Sequence, residues 1–361
     1  MIYLDANATE PLRPQARAAA VAALDQTGNP SSVHAAGRAA RRVLENSREI
    51  IAARFGSRPA DVVFTSGGTE ANALAIAGLG RGRTVIVGAT EHDAVRSAAP
   101  DAVVLPVRAD GTACLDALDE LLARTPGALV CLMLANNETG VLHPVGEAAA
   151  MCRRHGALLH VDAVQAAGRL PLSLRDTGAD SLALSGHKLG GPAGVGALIL
   201  AQGRSDIAPL FRGGGQERGR RGGTPALPAI IGFAAAAACD PQPGIAELRD
   251  AAEAAAVACG ALVCGAGAQR LPNTTCIALP GVRADAQVIA LDLGGIAVSA
   301  GAACSSGKVA ASHVLHAMGL GSLAGQAIRV SLPWSAEPAD VDAFTTAYAA
   351  MADRLRRHLT A

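Results

Sequence analysis

Between about residue 60 and residue 200, short apolar runs alternate with stretches whose apolar positions recur at helical spacing. The runs are Asp61 to Thr65, Thr84 to Val87, Val103 to Val107, Leu129 to Leu134, Leu158 to Val161, Ser181 to Leu184 and Val195 to Leu200. Runs this short suit strands buried on both faces. Leu115 to Arg124 and Val145 to His155, apolar on one side and polar on the other, suit the helical crossovers that parallel strands require. The alternation therefore predicts an α/β domain on a mainly parallel seven-stranded sheet. The longest apolar run, Ala226 to Cys239, contains Pro228 and Gly232 and is too short to span a membrane, so it reads as a buried helix. Asp240-Pro241-Gln242-Pro243-Gly244 then concentrates turn formers. It marks a boundary between a large domain at residues 13–240 and a smaller α+β domain at residues 1–12 and 241–361.

A chain of 361 residues buries enough apolar surface for two such domains without covalent staples. Its 31 basic side chains balance 31 acidic ones, which points away from nucleic acid and anionic membranes and toward a small-molecule substrate. Met1 to Pro14 carries Asp5 and Glu10 and shows no basic region followed by an apolar core, so a cytoplasmic protein is expected. The eight cysteines, at 114, 131, 152, 239, 259, 264, 276 and 304, lack the paired spacing of a zinc site or a disulfide framework. Most are expected as reduced core residues, and no metal site is expected. Lysine narrows the chemistry further: only Lys188 and Lys308 occur, so an amine nucleophile has two side-chain candidates.

Three motifs fall at strand ends. Ser66-Gly67-Gly68-Thr69 follows Val62-Val63-Phe64 and precedes the helical run Glu70 to Leu79, the arrangement of a phosphate cradle. An ordinary capped turn has the same sequence, so the motif counts only with its neighbours. His160-Val161-Asp162-Ala163-Val164-Gln165 ends another strand, at the sheet edge where α/β folds bind ligands. Asp162 either caps the next helix or holds a pyridine nitrogen protonated, which turns a pyridoxal ring into an electron sink. Ser185-Gly186-His187-Lys188 brings one of the two lysines to the same edge, flanked by two groups suited to a phosphate, Ser185 and His187. Lys308, after Ser305-Ser306-Gly307, is the weaker candidate.

With these motifs in place, the chain resembles the cysteine desulfurases, a group of class V aminotransferases among the fold-type I pyridoxal-phosphate enzymes. The likeness includes Tyr3 to Thr9, Gly28 to His34, Ser66 to Asn72, Thr90-Glu91-His92 and Asn136 to Gly140. It continues through His160 to Gln165, Ser185 to Lys188, Gly213 to Glu217, Gly222 to Pro225 and Ala300 to Gly307. The resemblance implies pyridoxal 5′-phosphate as cofactor, with Lys188 as Schiff-base lysine and Asp162 at the ring nitrogen. It implies that His92 stacks on the ring and carries protons, that Gln165 and Asn137 reach the ring oxygen and substrate side, and that Gly68, Thr69, Ser185 and His187 hold the phosphate. It implies a homodimer, because Thr224 matches a threonine that completes the phosphate site of the other subunit. Arg329 matches the arginine that takes the substrate carboxylate, and Cys304 matches the loop cysteine that receives sulfur. The spacing from Cys304 to Ser312-His313 matches the long loop of the housekeeping and nitrogenase-associated type.

On this resemblance the activity is conversion of L-cysteine to L-alanine, with Lys188 taking the α-proton and Cys304 left as a persulfide. The sulfur then passes to an acceptor such as an iron–sulfur scaffold protein. Gln216 stands where the family has histidine, and Leu332-Pro333-Trp334 stands where it has Leu-Gly-Arg. Three other readings compete: a selenocysteine lyase or aminotransferase on the same cradle, a non-catalytic scaffold subunit, and nucleic-acid binding by the basic loop Arg212 to Arg221. Cys304 discriminates against the first, and the joint presence of Lys188, Asp162, His92 and Cys304 opposes the second. Glu217 and the absence of stacking aromatics oppose the third.

Overall fold

A computed structural model describes residues 1–204, 206–301 and 311–360, the side chains through residue 357. All seven expected strands form, and they form one sheet. Across it they run Val62–Thr65, Gly196–Leu200, Ser181–Ser185, Leu158–Asp162, Leu129–Cys131, Val85–Gly88 and Val103–Leu105. Gly196–Leu200 is antiparallel to both neighbours, and every other pairing is parallel. The strand expected at Val103 to Val107 ends at Leu105 because Pro106 has no N–H to continue the ladder.

Leu115–Arg124 and Val145–Arg154 are the expected crossover helices, and Leu227–Ala237 is the buried one. No helix among the described residues is long and apolar enough to cross a membrane. Beyond residue 240 lies a four-stranded antiparallel sheet in the order Ser299–Ala300, Ala327–Ser331, Thr274–Ala278, Leu262–Val263. Ile2–Tyr3 joins this part by pairing with Ile296–Ala297. One hydrophobic cluster unites residues between Ala16 and Ala237, and another unites Leu4 with residues between Ile245 and Ala352. We propose that these clusters are the cores of the two domains divided near residue 240.

The parallel arrangement fixes where polar residues collect. Ser66, Asp162 and Ser185 all stand at or just past the C-terminal ends of strands that run the same way. The helix Gly68–Leu79 begins two residues ahead of the expected run, and Glu70 reaches back to accept the Ser66 N–H at 2.7 Å. Gly196 permits this tight start. A Cβ there would lie 2.7 Å from the Gly67 backbone and 2.5 Å from the Leu184 carbonyl oxygen.

Candidate active site

A cleft of about 500 Å³ opens at this edge of the sheet. Gly68, Thr69, Ser185 and His187 line it together with His92, Asn137, Asp162, Gln165 and Lys188, so nine of the residues singled out from sequence share one cavity. The helix that opens with Gly68 and Thr69 presents first-turn amides that no helical carbonyl satisfies. Gly68 leaves room there, since a Cβ would sit 2.7 Å from Val164 Cγ2. The hydroxyls of Thr69 and Ser185 make no hydrogen bond among the described residues.

Lys188 follows the strand Ser181–Ser185 in a single 3-10 turn. Its Nζ donates to the carbonyls of Asn7 at 2.6 Å and Ala8 at 2.9 Å. Burial, reinforced by the charges of Arg329 and Arg169, pulls this amine down to about 8 from its usual 10.5, against the opposing pull of Asp5 and Asp162. Burial and the neighbouring Lys188 lower His187 to about 4, so near neutral pH it is an uncharged hydrogen-bonding group. Its Nδ1 lies 3.1 Å from the Thr9 hydroxyl.

Asp162 is buried at the end of its strand, and burial raises its carboxyl. Two donors oppose that rise: the Val164 N–H at 2.9 Å from Oδ1 and Asn72 Nδ2 at 2.7 Å from Oδ2. His92 is exposed at the rim and caps the short helix Asp93–Arg96 by accepting the Ala94 N–H through Nδ1. Gln165 donates to the Asn7 carbonyl and accepts from Arg169, while the Asn137 side chain is unbonded among the described residues.

Arg329 and Thr224 do not line this cleft. Arg329, buried on the strand Ala327–Ser331, is gripped by Asp5 at 2.5 Å and donates to the Asn137 carbonyl at 3.0 Å. Its Nε has no partner among the described residues. Thr224 is exposed beside a separate hollow that Ser66 and Arg221 also border. Gln216 supports that turn, accepting the Gly223 N–H through Oε1 at 3.0 Å. Trp334 donates its indole N–H to the Pro11 carbonyl and its backbone N–H to Glu10, with the Arg13 guanidinium 5.1 Å from the ring centroid. Cys304 and Lys308 lie outside the described residues.

Several participants fall inside or beside the sequence motifs but received no role from them. Asn7 contacts Lys188 and Gln165 from the far end of the chain. Glu10 pairs with Arg169 at 3.0 Å, both buried. Asn72 and His160 stand behind Asp162, at 2.9 Å from each other. Besides closing and opening such motifs, these last two are marked as polar residues inside an otherwise apolar helix or strand. The basic loop is partly engaged within the protein: Arg221 pairs with Glu70, Arg220 is buried, and Glu217 forms a buried double contact with Arg48. Arg212 and Arg218 are exposed, Arg218 lying 4.0 Å from Glu45.

Residues 2–344 match the family described as Aminotransferase class-V. A cysteine desulfurase from Cereibacter sphaeroides is 40% identical over 98% of this chain and 96% of its own length. The chain belongs to the cysteine desulfurase family of class-V aminotransferases. An IscS-like cysteine desulfurase from Mycobacterium tuberculosis is 38% identical over 99% of this chain and 98% of the relative. Among solved structures, a NifS-like protein from Rickettsia africae superposes with a TM-score of 0.90 at 35% identity, covering 98% of this chain and 99% of the other. In this cysteine desulfurase the α/β fold is therefore of fold-type I, and the chain is an enzyme of a family that uses pyridoxal phosphate.

Proposed function

We propose that this cysteine desulfurase holds pyridoxal 5′-phosphate in the cleft through Lys188 and delivers the sulfur of L-cysteine to Cys304. The observation that carries the reading is the convergence in one cavity of a depressed amine, a buried carboxylate and a helix N-terminus flanked by two free hydroxyls. These donors suit the cofactor: first-turn amides, Thr69, Ser185 and neutral His187 for its phosphate, and Asp162 for its ring nitrogen. When bound, the cofactor supplies an electron sink for the charge left on the substrate α-carbon.

The protein's own groups do the rest. Arg329 takes the substrate carboxylate by a charge-assisted contact, with Asp5 holding the guanidinium in place. Lys188, with its amine pulled to about 8, is unprotonated often enough near neutral pH to accept the α-proton. His92, at the rim, moves protons to and from the substrate thiol. The Cys304 thiolate attacks the substrate sulfur, so a carbon–sulfur bond breaks as a sulfur–sulfur bond forms. The carbon gains a proton and departs as alanine, and the transferred sulfur is the oxidised partner. No outside oxidant is needed.

A thiol of an acceptor protein, such as an iron–sulfur scaffold, then takes the sulfur. Thr224 points this reading toward a homodimer, because it is exposed and lines a hollow beside the cleft rather than the cleft itself. Seven described cysteines are free thiols, which suits a reducing cytoplasm. Mass spectrometry after treatment with L-cysteine tests the proposal. One added sulfur on Cys304, with alanine and sulfide released in equal amounts under reductant, is expected. Full activity in Cys304→Ala overturns the persulfide step.

A further inference from the structure

The floor of the cleft contains a line of buried polar groups that the steps above leave unused. Asp162 Oδ2 accepts from Asn72 Nδ2 at 2.7 Å, Asn72 Oδ1 faces His160 Nε2 at 2.9 Å, and His160 Nδ1 faces the Ser181 hydroxyl at 2.8 Å. His160 and Ser181 are 0% exposed and Asn72 is 1% exposed, so no solvent offers these groups an alternative partner. They come from three elements: Asn72 from the helix Gly68–Leu79, His160 from the strand Leu158–Asp162, and Ser181 from its neighbour Ser181–Ser185.

Such a line has two possible polarities, and its far end decides between them. The Ser181 hydroxyl hydrogen has one acceptor within reach among the described residues, His160 Nδ1. If Nδ1 carried the proton instead, that hydroxyl hydrogen would be buried with no acceptor, a cost comparable to a lost hydrogen bond. Ser181 therefore donates, His160 is protonated on Nε2, Asn72 must accept through Oδ1, and its N–H is turned toward Asp162. Burial holds the imidazole neutral, with its pKa lowered to about 3, so the line stays in this state.

A second carboxyl makes the direction matter. Glu91 is fully buried near Asp162, and each raises the cost of charging the other. Among the described residues Glu91 has one donor, the Met133 N–H at 2.6 Å, and its Oε2 has no partner. Asp162 has donors on both oxygens. Of the two, Glu91 retains the proton and Asp162 the charge.

We infer that Ser181, His160 and Asn72 are positioning residues, a hydrogen-bond relay of fixed polarity that keeps Asp162 ionised for the ring nitrogen of the cofactor. The inference rests on the proposed cofactor site. Its distinguishing consequence is that the relay acts only through that nitrogen. The test is equilibrium binding to the apoenzyme of pyridoxal phosphate and of its deaza analogue, in which carbon replaces the ring nitrogen, followed by absorbance.

Wild type is expected to prefer pyridoxal phosphate. The preference is expected to fall about tenfold in Asn72→Leu, as for loss of a hydrogen bond to a charged group, and about threefold in Ser181→Ala. Affinity for the analogue should change less than about twofold. Ser181→Ala, which removes a single oxygen, preserves the test if Asn72→Leu does not fold. An unchanged preference in a folded variant overturns the relay and leaves the cofactor site standing. Failure of wild type to bind either compound overturns the cofactor site and the relay with it.

Discussion

Two hollows of nearly equal size lie at opposite edges of the seven-stranded sheet, about 500 Å³ at the C-terminal ends of its parallel strands and about 510 Å³ at the other. Charged groups line both. At the second, Arg58 pairs with Asp61 and Arg204 with Asp180, and the arginine side chains are 47% and 42% exposed. Water screens the exposed arginine of each pair, although Asp61 itself is 2% exposed. At the first, Lys188, His187 and Asp162 are drawn out of water, and the consequences follow from desolvation: Lys188 falls to about 8, His187 to about 4, and Asp162 rises. Size alone does not distinguish a catalytic cleft from a groove. Convergence of desolvated groups with unsatisfied donors does.

Substitutions can break that contrast at its strongest point first. Lys188→Ala is expected to lower alanine release by more than about 10⁴-fold, since it removes both cofactor anchor and base; a steady-state assay with L-cysteine reads this, and retention of even a tenth of the activity refutes the assignment. Arg329→Ala should reduce kcat/KM for cysteine by about 10- to 100-fold, mostly through KM, the loss expected for a charged hydrogen-bonding contact. An unaltered KM would assign Arg329 to its pairing with Asp5 alone.

Titration sharpens the same comparison. Because Lys188 has a lowered pKa, its reactive neutral form is scarce below about 8 and grows as pH rises through that value. The rate of cofactor capture by apoenzyme should therefore increase about tenfold between pH 7 and pH 9 and then level off. Continued increase toward pH 10.5 would mean that the amine is solvated like a free lysine. The smallest effect belongs to the opposite groove: Arg204→Ala should shift kcat by less than about twofold and stability by less than about 1 kcal/mol in thermal unfolding. A large loss of activity there would dissolve the distinction between the two hollows.

Much of the large domain was legible along the chain. Strands buried on both faces appear as short apolar runs, and helices covering them keep a period near four, so Leu115–Arg124 and Val145–Arg154 were readable nearly to their ends. The motifs at Ser66, Asp162 and Lys188 were readable for a related reason: each follows an apolar run, and parallel strands bring such ends to one edge. Contacts between distant segments left no comparable trace. Asp5 and Arg329 meet across 324 positions, Asn7 and Lys188 across 181, and no local period records either meeting. Trp334 likewise looks like a bare departure from the family pattern until its bonds to Glu10 and Pro11 are seen.

The sequence by itself determined the inventory of this protein: an α/β chain with two lysines, one of them at a strand end among phosphate-binding neighbours, and a carboxylate at another. Those properties reside in residue type and short-range spacing. Only the tertiary structure decided that the Lys188 amine is depressed, that Glu91 is buried near Asp162, and that Ser181, His160 and Asn72 line up behind that carboxylate. Desolvation and hydrogen-bond direction depend on which segments meet and exclude water, and both are known only once the chain has closed around the cleft.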